Sequence, residues 1–154
     1  MRWEQGRSTL DDMLTKGLLE RVPPSREHAD AMIDQARRHL AAAGVIATVD
    51  PIGAYQLAYD AARKALTAVL ENQGLRPTRA GGHIAVLDAV RAQVDPPLGG
   101  VLRPFDRMRR RRNDAEYPAA DRPALTADEV VVDRVKVDAI IELAGKVLDQ
   151  MSPY

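Results

Sequence analysis

The stretch Asp50-Pro51-Ile52-Gly53-Ala54-Tyr55-Gln56-Leu57-Ala58-Tyr59-Asp60-Ala61-Ala62-Arg63-Lys64-Ala65-Leu66-Thr67-Ala68-Val69-Leu70-Glu71-Asn72-Gln73-Gly74, residues 50–74, carries the clearest helical stripe in the chain. Asp50 is a good N-cap, and Pro51 suits the first helical position, where its missing N–H costs nothing. Tyr55, Tyr59, Ala62, Leu66, Val69 and Leu70 recur at three- and four-residue spacing and line one side. Asp60, Lys64 and Glu71 are expected to point away from it. Gly74 supplies the stop, since glycine takes the left-handed conformation that ends many helices.

The same periodicity extends in both directions. Ser8 or Thr9 is a predicted cap for a first helix carrying Leu10, Met13, Leu14 and Leu18, over about residues 9 to 21. Val22-Pro23-Pro24 is expected to end it. Ser25 then caps a second helix with Ala29, Met32, Ile33, Ala36 and Leu40 on one face, running to about Gly44. After residue 74 the segment from Leu75 to Gly82 reads as a loop, and a short helix follows His83 on Ile84, Leu87 and Val90. Asp95 to Gly100 reads as another loop, with a fifth helix starting near Pro104 and stopping before Pro118. Tyr117 to Pro123 is a third loop. Thr126-Ala127-Asp128-Glu129 is a capping box opening a last helix on Val132, Val135, Ile140, Leu143, Val147 and Leu148. The reading is an all-α, up-and-down bundle, with an N-terminal helix and linker over 1–24 and the bundle over 25–154.

A chain of 154 residues suits one hydrophobic core. Its 22 basic and 22 acidic side chains cancel, which argues against a uniformly basic nucleic-acid binder. That zero is an average: residues 103–112 carry six arginines against Asp106, while 128–149 carry six acids against Arg134, Lys136 and Lys146. The absence of cysteine removes disulfides, thiol chemistry and the common structural zinc sites. No apolar leader opens the chain and no stretch approaches the roughly 20 apolar residues that span a bilayer. The expectation is a soluble, cytoplasmic protein that needs no membrane, no metal and no cofactor.

Arg103 to Asn113 is the strongest local anomaly in the sequence. On a helix, Phe105, Met108, Arg112 and Ala115 share one stripe, so Arg112 is expected in a crevice or a subunit interface. Arg107, Arg110 and Arg111 fall on other faces and read either as a solvated basic surface or as cations open to phosphate. His28 and His39, eleven residues apart on one helix, cannot ligate one ion. His83 follows Gly81-Gly82, where an anion site is conceivable, although a histidine at such a turn more often caps or packs. Gly81-Gly82 lacks the lysine and Ser/Thr of a P-loop. Tyr55 and Tyr59 fit core or dimer packing better than base stacking, and Asp60 is placed to pair with Arg63, Lys64 or Arg112.

Arg112-Asn113, late in a helical bundle and just before the helix ends, resembles the signature of the HEPN domain superfamily. Ala54 to Leu66 is similar to the second core helix of bacterial HEPN proteins. Gln73-Gly74-Leu75-Arg76-Pro77, Gly81-Gly82-His83-Ile84-Ala85-Val86 and Arg103-Pro104-Phe105-Asp106 look like connections of one bacterial subfamily. The resemblance covers about residues 25 to 150. It implies a four- or five-helix bundle that pairs about a two-fold axis, with an Arg-x4–6-His motif from each protomer facing one cleft. In active members that motif makes a metal-independent endoribonuclease, with histidine moving the proton and arginine stabilising phosphate charge. Some members are toxins encoded beside a nucleotidyltransferase antitoxin.

Tyr117 stands where the motif histidine would be. A phenol with a pKa near 10 is a poor base at neutral pH beside an imidazole near 6.5. The resemblance therefore implies a phosphate-facing cleft built on Arg112, Asn113 and Tyr117, with Glu116 or His83 as a substitute base. The expected function is binding of RNA or nucleotide phosphate at a homodimer cleft with weak or no nuclease activity. The alternative is an endoribonuclease toxin with a nucleotidyltransferase partner.

Overall fold

The computed structural model describes residues 3–154. Six helices follow in order: α1 (Arg7–Thr15), α2 (Arg26–Ile46), α3 (Pro51–Gln73), α4 (Gly82–Val94), α5 (Gly99–Glu116) and α6 (Ala127–Leu148). Two three-residue strands, β1 (Leu19–Arg21) and β2 (Leu75–Pro77), pair antiparallel with Leu19 opposite Pro77 and Arg21 opposite Leu75. The all-α reading holds. No described helix is long and apolar enough to cross a membrane.

Helix α3 is the axis of the bundle and packs against α2, α4, α5 and α6. Its caps are as expected: Asp50 accepts from the Gly53 amide at 2.9 Å, and Gly74 is left-handed at φ 85°. Its burial is wider than a stripe. Every residue from Ala65 to Gln73 is buried, including Glu71, which the periodicity turned outward. A helix surrounded by others loses its solvent face, and the many alanines let its neighbours approach closely.

Three helices differ in their bounds from the sequence reading. Helix α1 begins after Gly6, with no capping bond from Ser8 or Thr9, and ends at Thr15. Its stop is Gly17 and not the proline pair: the Gly17 amide bonds to the Leu14 carbonyl and the Leu18 amide to that of Met13. That is a Schellman arrangement with glycine at φ 73°. Leu18 therefore leaves the helix and leads into β1, a strand whose partner lies past α3. Helix α2 runs to Ile46, beyond Gly44. Helix α5 starts at Gly99 and contains Pro104, whose ring denies one hydrogen bond to the Gly100 carbonyl. Burial of Leu102, Phe105 and Met108 on α3 holds the helix together across that gap.

The fourth correction is the face of α6. Thr126 caps it as expected, accepting from the Glu129 amide at 3.2 Å. Yet Val132 and Val135 are 54% and 71% exposed, and Asp133 is 4% exposed. The buried set is Val130, Val137, Ile140, Ile141, Leu143, Ala144, Val147 and Leu148. Asp133 turns inward because the Tyr55 hydroxyl donates to it at 2.7 Å and Arg107 at 2.8 and 3.2 Å. Residues 3–24 share the common core through Leu10, Met13 and Leu19, and the Trp3 indole donates to the Gln93 carbonyl at 3.1 Å.

Candidate phosphate site

Helices α3, α4 and α5 meet around Arg112. Its side chain is 29% exposed, and its guanidinium lies 5.5 Å from the centre of the Tyr59 ring, within cation–π range. The stripe of Phe105, Met108 and Arg112 is real: the first two are buried, and the arginine ends in a crevice as the spacing implied. Arg112 is only loosely held by neighbouring acid. Its contacts are the Asn113 Oδ1 at 3.3 Å and the Glu116 carboxylate at 3.8 Å.

His83, at the start of α4, lines the same crevice. The Tyr59 hydroxyl and His83 Nδ1 are 2.7 Å apart. Tyr59 is 1% exposed, and its hydroxyl has no other hydrogen-bond partner among the described residues. Burial pushes the Tyr59 phenol up to about 12, so it keeps its proton through the neutral range. Donation to Nδ1 is the one way that this hydrogen is satisfied, which puts the ring proton of neutral His83 on Nε2. Burial lowers the His83 pKa below its ordinary value, and the nearby Arg63 and Arg112 lower it further. The imidazole is therefore neutral at pH 7 and offers an N–H donor. Phe105 packs on the other side of Tyr59, at 5.3 Å between ring centres, and holds the phenol in place.

Asp60 sits beside this group but does not pair with Arg112. Its carboxylate takes Arg63 at 3.0 Å and Lys64 at 3.1 Å, and Lys64 also donates to the Nε2 of His39 at 2.7 Å. Burial alone would raise the Asp60 carboxyl; the Arg63 and Lys64 bonds outweigh it and hold the group below its ordinary value.

The remaining arginines sort differently from the sequence reading. Arg107 and Arg111 are not open to phosphate: Arg107 is committed to Asp133, and Arg111 makes a two-pronged bond to Glu129 at 2.8 Å on both oxygens. Arg110, 68% exposed and paired at 3.3 Å with Asp106, is a surface cation. Arg109, three residues before Arg112 and so on the same face, is the second arginine of the site, held by Asp106 at 2.9 Å. That spacing was the available signal, and the run of arginines masked it. Arg63 on α3 is bonded to Asp60 and acts on the site only through its charge, which helps to lower the His83 pKa.

The motif residues after Arg112 do not close around it. Tyr117 is 79% exposed and lies past the last turn of α5, so its phenol is outside the crevice. Asn113 lines one wall of it, and Glu116 reaches Arg112 from the rim. His83 is thus the imidazole that the structure brings to Arg112. Among the described residues no group of three or more His, Asp or Glu side chains is placed to hold a metal ion.

Comparison with protein-family models, with curated proteins and with solved structures finds no match to this chain.

Proposed function

We propose that this protein is a HEPN-like module that binds RNA or nucleotide phosphate in the Arg112 crevice, with little or no nuclease activity. The observation that carries the reading is the pairing of a loosely neutralised, part-buried Arg112 with the Nε2–H of a neutral His83 on one rim. A guanidinium and a fixed N–H donor are the two groups that a phosphate oxygen needs. The departure of Tyr117 from the crevice and the tautomer of His83 support binding over proton abstraction. A base must present a lone pair to the ribose hydroxyl, and the lone pair of His83 is already taken by Tyr59.

A homodimer in which the two crevices face each other belongs to the same proposal. Light scattering that returns a monomer at all concentrations removes the shared cleft. A titration of labelled RNA tests the binding: affinity is expected to fall steeply with salt and to drop on Arg112→Ala, and a flat salt response contradicts phosphate contact.

One observation favours the alternative. His83 lines the same cavity as Arg112 and is neutral at pH 7, and it would serve as the base of a metal-independent endoribonuclease toxin once its ring proton moved to Nδ1 and freed the Nε2 lone pair. Cleavage of labelled RNA in EDTA, with cyclic phosphate ends and loss on His83→Ala, would establish that reading. Rescue of its toxicity by a nucleotidyltransferase would add the partner.

A further inference from the structure

A cavity of about 410 Å³ lies between α6 and the junction of α4 with α5, and it shares no lining residue with the Arg112 crevice. Helix α6 packs on α2, α3 and α5, and the cavity opens where it faces the end of α4. One wall is a stripe of α6, made by Ala139, Leu143 and Val147, and the other is Val94, Leu98 and Val101. Trp3, the sole tryptophan of the chain, lines it as well. Small-molecule sites have this size and this character, an apolar body with a few polar groups that fix orientation.

We infer that this cavity binds a medium-length aliphatic carboxylate, with its chain along the α6 stripe and its head group at Lys146. The body of the ligand is apolar because the buried polar side chain of the lining is already satisfied. Gln93, 1% exposed, exchanges two hydrogen bonds with Gln73 and donates to the Ala89 carbonyl as well. The other polar groups stand at the open edge, and their pairing selects an anion. Glu142 is held by Arg37 at 3.2 Å and Asp149 by Arg26 at 2.6 Å. These acids lie four residues before Lys146 and three after it, the spacings at which helical ion pairs form, yet neither takes it. Lys146 is thus a cation of the lining with no ion-pair partner among the described residues. Gln150, one turn further on, offers an amide donor to the second carboxylate oxygen. From Ala139 to Lys146 the helix rises about 10 Å, the reach of an extended chain of about eight carbons. An aliphatic amine is the competing occupant; it would have to win Glu142 from Arg37.

Octanoate, octanol and octylamine titrated into the full chain test this, read by Trp3 fluorescence and by calorimetry. Octanoate is expected to bind once per chain and to shift the Trp3 emission. Lys146→Met keeps an apolar stem and removes the charge. It is expected to weaken octanoate about fivefold, the upper end for an ion pair open to solvent, and to leave octanol unchanged. Ala139→Phe and Val101→Phe narrow the cavity from opposite walls, and each is expected to abolish octanoate binding while the circular dichroism stays helical. Arg112→Ala is expected to leave octanoate unaltered, which separates this outcome from that of the phosphate reading. Octanoate affinity indifferent to Lys146→Met, tighter binding of octylamine, or a loss on Arg112→Ala overturns the carboxylate at Lys146. Binding that survives both phenylalanines, or failure of all three probes to bind, overturns the cavity as a site.

Discussion

Replacing Asp133 by Ala strands a Tyr55 hydroxyl and an Arg107 guanidinium that now share one carboxylate. Burial alone would raise this carboxyl, but the bonds from Arg107 and Tyr55 outweigh it and hold it below its ordinary value. Arg107 is 47% exposed and can turn back to water, so the cost falls short of breaking a fully buried pair. Asp133→Ala is expected to lose about 2–3 kcal/mol, and Tyr55→Phe about 1, by urea unfolding. A loss on Asp133→Ala no larger than that of an average surface substitution would mean that the network is dispensable. Tyr59 poses a different residue-scale question, because its hydroxyl stabilises the neutral ring of His83. Tyr59→Phe removes that donor, and the His83 pKa is expected to rise toward the ordinary histidine value in an NMR titration. A pKa that stays or falls would contradict the assignment of the ring proton to Nε2.

At the scale of elements, the ends of the helices hold the informative departures. Gly6 and Gly17 flank α1, both at positive φ, yet their surroundings differ. A Cβ at Gly17 would meet nothing within 4 Å, whereas one at Gly6 would lie 2.5 Å from the Ala92 carbonyl oxygen. Gly17→Ala should therefore cost only the left-handed backbone penalty, about 1–2 kcal/mol. Gly6→Ala should cost more, because it also forces α1 away from α4, and thermal melts of the two variants decide the order. Equal losses would mean that α1 moves without penalty. Helix α5 offers the opposite sign: Pro104→Ala returns an N–H to the Gly100 carbonyl, and the urea midpoint is expected to rise, by up to about 3 kcal/mol of stability. The arginine run shows why element-scale reading is limited. Spacing put Arg112 on the inner stripe, but only the positions of Glu129 on α6 and Asp133 beside it decided that Arg111 and Arg107 are occupied.

For the whole molecule, pH acts through two sets of groups with the same sign. The folded His83 and His39 have pKa values below the ordinary histidine value, each mainly through burial. Their contribution is complete above about 6.5 and is lost as pH falls through that value toward the folded ones. Asp60, Asp133 and Glu129 are also held below their ordinary values, the last chiefly by Arg111. Their contribution is present above about 4 and is lost as pH falls through the folded values. Stability is thus expected to decline in two steps on acidification, read as the urea midpoint against pH, and His83→Gln with His39→Gln should remove the upper step. An unaltered upper step in that double variant would assign it elsewhere.

What the sequence determined by itself was local. Caps at Ser25, Asp50 and Thr126, the glycine stop at Gly74 and the apolar spacing of α3 specify helices, because each acts within one or two turns of chain. The inward aim of Arg112 was legible for the same reason, as part of a stripe with Phe105 and Met108. Tertiary structure alone decided everything that needs a partner from a distant segment. The pairing of β1 with β2 joins residues 56 apart in Glu20 and Arg76, and no local preference specifies so short a strand. Asp133 is inside, and Val135 outside, because a tyrosine hydroxyl and a guanidinium from two other helices satisfy the carboxylate. The exchange of Tyr117 for His83 beside Arg112 has the same cause. Sequence distance placed Tyr117 next to the arginine, but the helix ended and left it in solvent, while the turn before α4 carried an imidazole from 29 residues upstream to the phenol of Tyr59.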